Sequence, residues 1–338
     1  MQSSMKLLIV TQVVDLDHPI LGFFHHWLAV FASQCESIEV ICLEEGRHNL
    51  PGSVTVHSLG KESGVSRLTY VRRFYTYVWQ RRHQYDAVFV HMNQVYVLLG
   101  WLSWLLLNKR VCLWYMHGSV SHSLRIASRL VYRVFTGSPE SFRLQRSNVY
   151  VTGHGIDTEL FKQDESSVAS EGLVTVGRIT PSKNLSELFH VLAALSDATV
   201  TLTVVGAAVT QSERQHEVEL QQLATELNLQ DRVRWHGRVE QSQLPDALRQ
   251  HKLFVTAAQN GSLDKAILEA LACGLPVVSS APGSQSLPLG QNQVSSQQEF
   301  VAAVESLLTH KFDTQNLVNY VQDSHSLNKL VTKIIDTY

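Results

Sequence analysis

An apolar run at residues 173–176 ends in Gly177-Arg178, and across Ile179-Thr180-Pro181-Ser182 it reaches Lys183-Asn184 at the mouth of a helical stretch. Two cations so placed suit a departing diphosphate, because charge develops on its bridging oxygen as the bond to the transferred group breaks. Arg178 can grip phosphate in a bidentate fork, while Lys183 offers a flexible point charge. Taken alone, the pair is also compatible with a solvated surface loop. A second stretch, Asn260-Gly261-Ser262-Leu263-Asp264-Lys265, turns from loop into a helix that carries Glu269 and ends at Gly274, with Pro276 beyond. Gly274 fits a helix C-terminus. The free amides of the loop and first turn suit phosphate oxygens or hydroxyls, and Glu269, about one turn in, could accept hydrogen bonds from a ribose diol. The bland alternative is a glutamate that merely favours a helix. Met116-His117-Gly118 closes another strand-like run, where His117 could bond a sugar hydroxyl or stand as a satisfied edge histidine. His154-Gly155-Ile156-Asp157 is similar, and its polar pair could fix a crossing between domains without touching substrate. Gly22 lies between the first strand and first helix.

These residues need elements to hold them. In the first half, residues 6–11, 38–43, 54–57, 87–91 and 111–117 read as strands, and 24–33, 67–83 and 95–107 as helices. After a polar segment at residues 162–172 the alternation restarts. Strands are expected at 173–176, 199–205, 233–235, 253–256 and 276–279. Helices are expected at 185–195, 213–227, 244–249, 265–272 and 299–309, with one or two more within 317–338. Such alternation predicts an α/β protein with two mainly parallel sheets, each covered on both faces, and ligands outside the carboxyl ends of the strands.

The chain of 338 residues is long enough for two cores, given that about 150 residues make an ordinary domain. With 44% hydrophobic and 17% charged residues, it falls among folded rather than disordered chains. Charge is unevenly spread. Residues 1–165 hold 16 Lys+Arg against 13 Asp+Glu, and residues 67–146 hold 12 against 2, namely Asp86 and Glu140. That bias suits an anionic partner. His122, Arg125, Arg129 and Arg133 recur at helical spacing beside Ile126 and Leu130, a stripe suited to anionic lipid head groups or a polyprenyl-linked substrate. Arg67, Arg72, Arg73, Arg81 and Arg82 with Tyr70, Phe74, Tyr75 and Trp79 form a similar set, and a solvated face is the bland alternative for both. No reading helix or stacking platform accompanies the charge, so nucleic acid is not expected as a partner. Cys35, Cys42, Cys112 and Cys273 form no disulfide ladder or zinc pattern and fit a reducing cytosol. The start of the chain reads as a strand rather than a signal peptide. The apolar run at 95–107 is too short to span a bilayer. A cytoplasmic protein, peripheral at the inner face of the membrane, is the expectation. The dinucleotide G-x-G-x-x-G, the Walker A sequence and the G-x-S-x-G elbow do not occur.

Together the Gly-Arg strand end with its Lys-Asn, the helix bearing Glu269 with Ala-x-Ala-x-Gly-x-Pro-Val-Val after it (Ala270 to Val278), and the histidine-glycine pair resemble retaining glycosyltransferases of the GT-B architecture, family 4. The resemblance implies two Rossmann-like domains facing each other across a deep cleft. An acceptor-side domain would span residues 1–161 and a donor domain 172–322, with a terminal helix at 323–338 packing back on the first. It implies that Arg178 and Lys183 hold the donor diphosphate, that Glu269 binds the ribose, that His117 sits by the transferred sugar, and that Gly22 approaches diphosphate and acceptor. Gly261, Ser262, Leu263, Asp264 and Lys265 would complete the donor loop.

The implied reaction moves a hexose-type sugar from a UDP- or GDP-sugar to a hydroxyl of a glycan or lipid-linked precursor of the cell envelope. The acceptor attacks on the face that the diphosphate leaves, and no metal or other cofactor is required, since the two cations take its place. The chain departs from the family where a first glutamate, contacting hydroxyls of the transferred sugar, would stand eight residues before Glu269. That position is Gly261, and Asp264 is the nearby carboxylate that could replace it. Two other readings stay open: a noncatalytic nucleotide-sugar-binding partner of a transferase, and a nucleotide-sugar epimerase of the same fold.

Overall fold

The computed structural model describes residues 4–164, 170–259, 261–310 and 312–338. The chain divides into two compact units, one made of the described residues up to Gly155 together with Leu327–Tyr338, the other of Ile156–Ser326.

The first unit runs β1 (Lys6–Val14), α1 (Phe23–Gln34), β2 (Ser37–Glu45), β3 (Val54–Ser58), α2 (Arg67–Gln80), β4 (Ala87–His91), α3 (Gln94–Leu106), β5 (Arg110–Trp114), α4 (His122–Leu130), β6 (Arg133–Thr136) and β7 (Val149–Val151). Its strands form one parallel sheet in the order β3-β2-β1-β4-β5-β6-β7. Alternate residues of each strand feed different cores, as the pleat demands. Leu7, Ile9, Phe89, Cys112 and Trp114 pack with α1 on one face, while Leu8, Val10, Val88, Val90 and Leu113 pack with Phe74 of α2, Val97 and Trp104 of α3 and Leu124 of α4 on the other. Burial on both faces is why these strands read as continuous apolar runs.

The second unit runs β8 (Glu171–Val176), α5 (Leu185–Ala194), β9 (Leu202–Val205), α6 (Gln211–Glu226), β10 (Val233–Gly237), α7 (Leu244–Arg249), β11 (His251–Thr256), α8 (Lys265–Ala272), β12 (Val277–Ser279), α9 (Gln297–Thr309) and α10 (Gln315–Ser324). Its five strands are parallel in the order β10-β9-β8-β11-β12. One face of this sheet packs on α5, α6 and α9 and the other on α7, α8 and α10. The chain then returns to the first unit as α11 (Leu327–Ile335), whose Leu330, Val331 and Ile334 are fully buried with Trp27 and Phe31.

Three sequence expectations need correction. The strand expected at 111–117 stops at Trp114, because its neighbours end there: Trp114 is the last residue paired with β4 and with β6. The helix expected at 67–83 stops at Gln80, and Arg81 caps it. The polar segment expected at 162–172 is shortened by β8, which begins at Glu171; residues 165–169 of it lie outside the described residues. The four cysteines are buried, and none of them is in a disulfide. Among the described residues no helix is long and apolar enough to cross a membrane.

Candidate active site

In the second sheet the strand order runs outward in one direction from β8 through β9 and in the other from β11 to β12. The loops after β8 and β11 therefore diverge at neighbouring strand ends, which is where an open α/β sheet leaves room for a ligand. The candidate site is built from these two loops.

After β8 the backbone turns at Gly177, whose φ is +147°. A Cβ there would stand 2.4 Å from Cε and 2.5 Å from Nζ of Lys183. Glycine is thus what lets the lysine side chain fold back over the strand end. Lys183 Nζ donates to the carbonyl of Val176 at 3.2 Å and pairs with Asp264 Oδ2 at 2.5 Å. The main chain ties the two loops together as well, with Gln259 N donating to Ser182 O at 2.7 Å. Asp264 also caps α8, its Oδ1 accepting from the amide of Ala266.

Arg178 points to a different carboxylate. Its Nη1 donates to Glu213 Oε1 at 3.2 Å. Glu213 is the third residue of α6 in a capping box, where Thr210 Oγ1 accepts from the Glu213 amide while Glu213 Oε2 accepts from the amides of Thr210 and Val209. The Thr210 amide first, then the Val209 amide, with Arg178 adding a smaller pull, hold this carboxyl below the usual glutamate range. Glu269 is buried on α8, and its Oε1 accepts from Lys265 Nζ at 2.7 Å and Gln241 Nε2 at 2.8 Å. Each of the three cations Arg178, Lys183 and Lys265 is thus paired with a carboxylate, Glu213, Asp264 and Glu269 respectively. Such a site is charge-balanced before an anion arrives, and its cations are oriented rather than free to wander.

Residues 157–323, which include all of these groups, match the family of glycosyl transferases group 1. That stretch carries the family's domain. Over 150 residues it is 31% identical to a D-inositol 3-phosphate glycosyltransferase of Frankia alni, and over 117 residues 35% identical to one of Thermomonospora curvata. Those stretches are 40% and 33% of this chain, and only 37% and 27% of the two relatives' lengths. In fold the likeness extends along 98% of the chain. A crystal structure of HepE from Anabaena in complex with UDP superposes with a TM-score of 0.78 at 20% identity, covering 99% of that protein. WaaG, a glycosyltransferase involved in lipopolysaccharide biosynthesis, does so with a TM-score of 0.68 at 14% identity, covering 98%. The architecture is GT-B, with two α/β units built on parallel sheets.

The candidate residues fall into two sets. Arg178, Lys183, Asp264, Lys265 and Glu269 gather on the second unit, at the ends of β8 and β11 and along α8. Gly22 and His117 belong to loops at the carboxyl edge of the first sheet, Gly22 leading into α1 after β1 and His117 following β5. His117 is exposed, and its Nδ1 accepts from the amide of Ser119 at 3.0 Å. The switch in strand order of that sheet lies between β1 and β4, so Gly22 is on a switch-point loop and His117 is one strand farther along. Gly261 has φ +66°, a left-handed geometry that a glutamate adopts only at a cost of about 1 kcal/mol or more. The position that departs from the family pattern thus has a backbone that favours glycine. Asn260 lies outside the described residues. Asp264, the carboxylate expected to compensate, is engaged with Lys183 and the α8 cap.

Sequence reasoning missed Glu213 and Gln241. Thr210-Gln211-Ser212-Glu213 carries the T-x-x-E signature of a capping box, which could have marked Glu213 as fixed. Nothing local marks Gln241.

Proposed function

We propose that this chain is a retaining glycosyltransferase that takes a hexose from a nucleoside diphosphate sugar, with UDP favoured over GDP, and passes it to a hydroxyl of a glycan or lipid-linked precursor at an anionic membrane surface. The observation that carries the reading is that Arg178 and Lys183 both stand on the loop after β8, where Lys183 is tied through Asp264 to the start of α8, the helix that carries Glu269. UDP is favoured because HepE, similar in fold, is bound to UDP in its crystal structure. The diphosphate lies against Arg178 and Lys183, and the ribose diol donates to Oε2 of Glu269, whose Oε1 is already engaged.

In the chemical step the acceptor oxygen bonds to the anomeric carbon on the face from which the diphosphate departs. The bond from that carbon to the phosphate oxygen breaks, and the acceptor proton passes to a phosphate oxygen. Negative charge growing on the leaving group meets two preoriented cations, which lowers the barrier without reorganisation at the moment of reaction. His117 orients the sugar, and Gly22 admits donor and acceptor closely. The scheme needs no metal, so turnover should survive EDTA.

The test is nucleotide release from UDP-glucose, UDP-galactose, UDP-N-acetylglucosamine and GDP-mannose, with a lipid extract or an inositol phosphate as acceptor. Release should depend on acceptor, the product should keep the donor's anomeric configuration by NMR, and Arg178→Ala should lower turnover at saturating donor by about a hundredfold. Donor epimerised without acceptor would favour the epimerase reading. Donor binding without turnover would favour the noncatalytic one.

A further inference from the structure

Helices α2, α3 and α4 form one layer on the first sheet, their inward side chains sharing a core with Leu8, Val10, Val88 and Leu113. Hydrogen bonds stitch the layer together: Tyr75 Oη of α2 donates to Leu99 O of α3 at 2.8 Å, and Gln94 Nε2 of α3 donates to Ser123 Oγ of α4 at 3.0 Å. The opposite side of the layer is unusual in two respects. Eight of the fifteen large apolar side chains exposed among the described residues lie on these three helices, which makes the exposure a property of this face rather than of the surface at large. On α2, Leu68, Arg72, Tyr75 and Trp79 follow helical spacing, as Val95, Leu102 and Leu106 do on α3, with Leu105 adjacent; on α4, Ile126 lies between Arg125 and Arg129. Leu105 and Leu106 are 60% and 68% exposed, an arrangement that costs free energy in water and calls for a cover.

The second feature is charge. The three helices contain no aspartate or glutamate, while Arg67, Arg72, Arg125 and Arg129 lie exposed on them. Beyond the end of α3 the layer borders a hollow of about 260 Å³ lined by Trp101, Leu105, Lys109, Arg110, Leu130 and Tyr132. A second copy of this chain presenting the same face would set arginine against arginine, with no carboxylate to relieve the repulsion. A soluble acidic protein would match the charge and leave no reason for the leucines.

We propose that the α2–α3–α4 face docks on an anionic bilayer. Leu102, Leu105, Leu106, Ile126 and Trp79 enter the interface while the arginines meet lipid phosphates, and the hollow at Lys109 and Arg110 receives a head group. The combination of apolar insertion and cationic attraction is what holds a peripheral protein to such a surface. This deepens the reading of a membrane-proximal acceptor and rests on it for its biological purpose. Vesicle binding needs neither donor nor turnover, so a failed transferase assay and a failed binding assay are separable.

The experiment is co-sedimentation of the full chain with vesicles of phosphatidylcholine alone and of phosphatidylcholine with phosphatidylglycerol. We expect binding only to the anionic vesicles, weakening with salt. Arg125→Glu with Arg129→Glu should weaken it by at least about fivefold per site, and Leu102→Glu with Leu106→Glu by about tenfold or more per site. Val218→Glu, an exposed apolar position on α6 of the second unit, should leave binding unchanged. All these positions are exposed, and circular dichroism identifies a variant that fails to fold, in which case the other pair carries the test. Absence of wild-type binding, or equal binding by the folded variants, overturns the proposal. So does a dimer in sedimentation velocity that the leucine pair dissolves, which would assign the face to a second copy.

Discussion

Lys183 reaches its carboxylate only because the residue beneath it has no side chain. The Cβ of an alanine at position 177 would occupy the space of Lys183 Cε, in a backbone conformation that L residues rarely adopt. Gly177→Ala should therefore displace the ammonium from Val176 O and Asp264, and a shift of about 1 Å in a charge-stabilising group can cost on the order of a hundredfold in rate. We expect turnover to fall toward that of Lys183→Ala, with far-ultraviolet circular dichroism unchanged, and steady-state kinetics of the two variants side by side is the check. Normal turnover in a folded Gly177→Ala protein would remove Lys183 from the chemistry. Gly261 makes the complementary point. Its left-handed φ means that the sugar-contacting carboxylate of the family pattern cannot simply be restored by side-chain replacement.

At the level of elements, α6 matters more for its first turn than for its length. One carboxylate, Glu213, closes the helix start through two backbone amides and also holds Arg178. Thr210→Ala should cost about 1 kcal/mol of stability, measured as a lowered urea midpoint. The pH dependence has a definite sign. Because the folded-state carboxyl titrates below the ordinary glutamate value of 4.5, its contribution is complete above that pH and is lost as pH falls through the lower folded value. Glu213→Gln should flatten that acid limb of the stability curve. Urea titrations at successive pH values should separate the variant from the wild type above the limb and bring them together below it.

Across the whole molecule the chain does not keep its two units in series. It leaves the first at Gly155, completes the second, and comes back as α11 to finish the first unit's core. Leu330 is fully buried there, so Leu330→Ala should destabilise the first unit by about 2–5 kcal/mol. Five of the six tryptophans, Trp27, Trp79, Trp101, Trp104 and Trp114, lie in that unit, and Trp235 alone in the second. Tryptophan fluorescence should consequently report an earlier transition in the variant, while hydrogen exchange in β8 and β11 stays at wild-type protection. Loss of protection in β8 and β11 would mean that the two cores do not unfold separately.

What could be read along the chain is what local physics writes there. Runs buried on both faces of a parallel sheet are continuously apolar, so β1, β4, β8 and β11 were legible, and helices such as α7 and α8 announced themselves by period and, for α8, by a terminal glycine. The cations at 178 and 183 and the loop before Glu269 were legible for the same reason, since strand, turn and helix start are contiguous. β6 and β7 were not: they are strands of four and three residues, and neither is preceded by the glycine and proline that mark the start of β12, itself of three residues. Strand order is a matter of non-local pairing, and with it come the switch points that decide which loops become neighbours. The partners of the two cations lie 35 and 81 residues away, and no local pattern reaches that far. Residue types and local elements belong to the sequence, whereas the pairing of Arg178 with Glu213 and of Lys183 with Asp264 came from tertiary packing alone, which sets distances between groups that the chain keeps far apart.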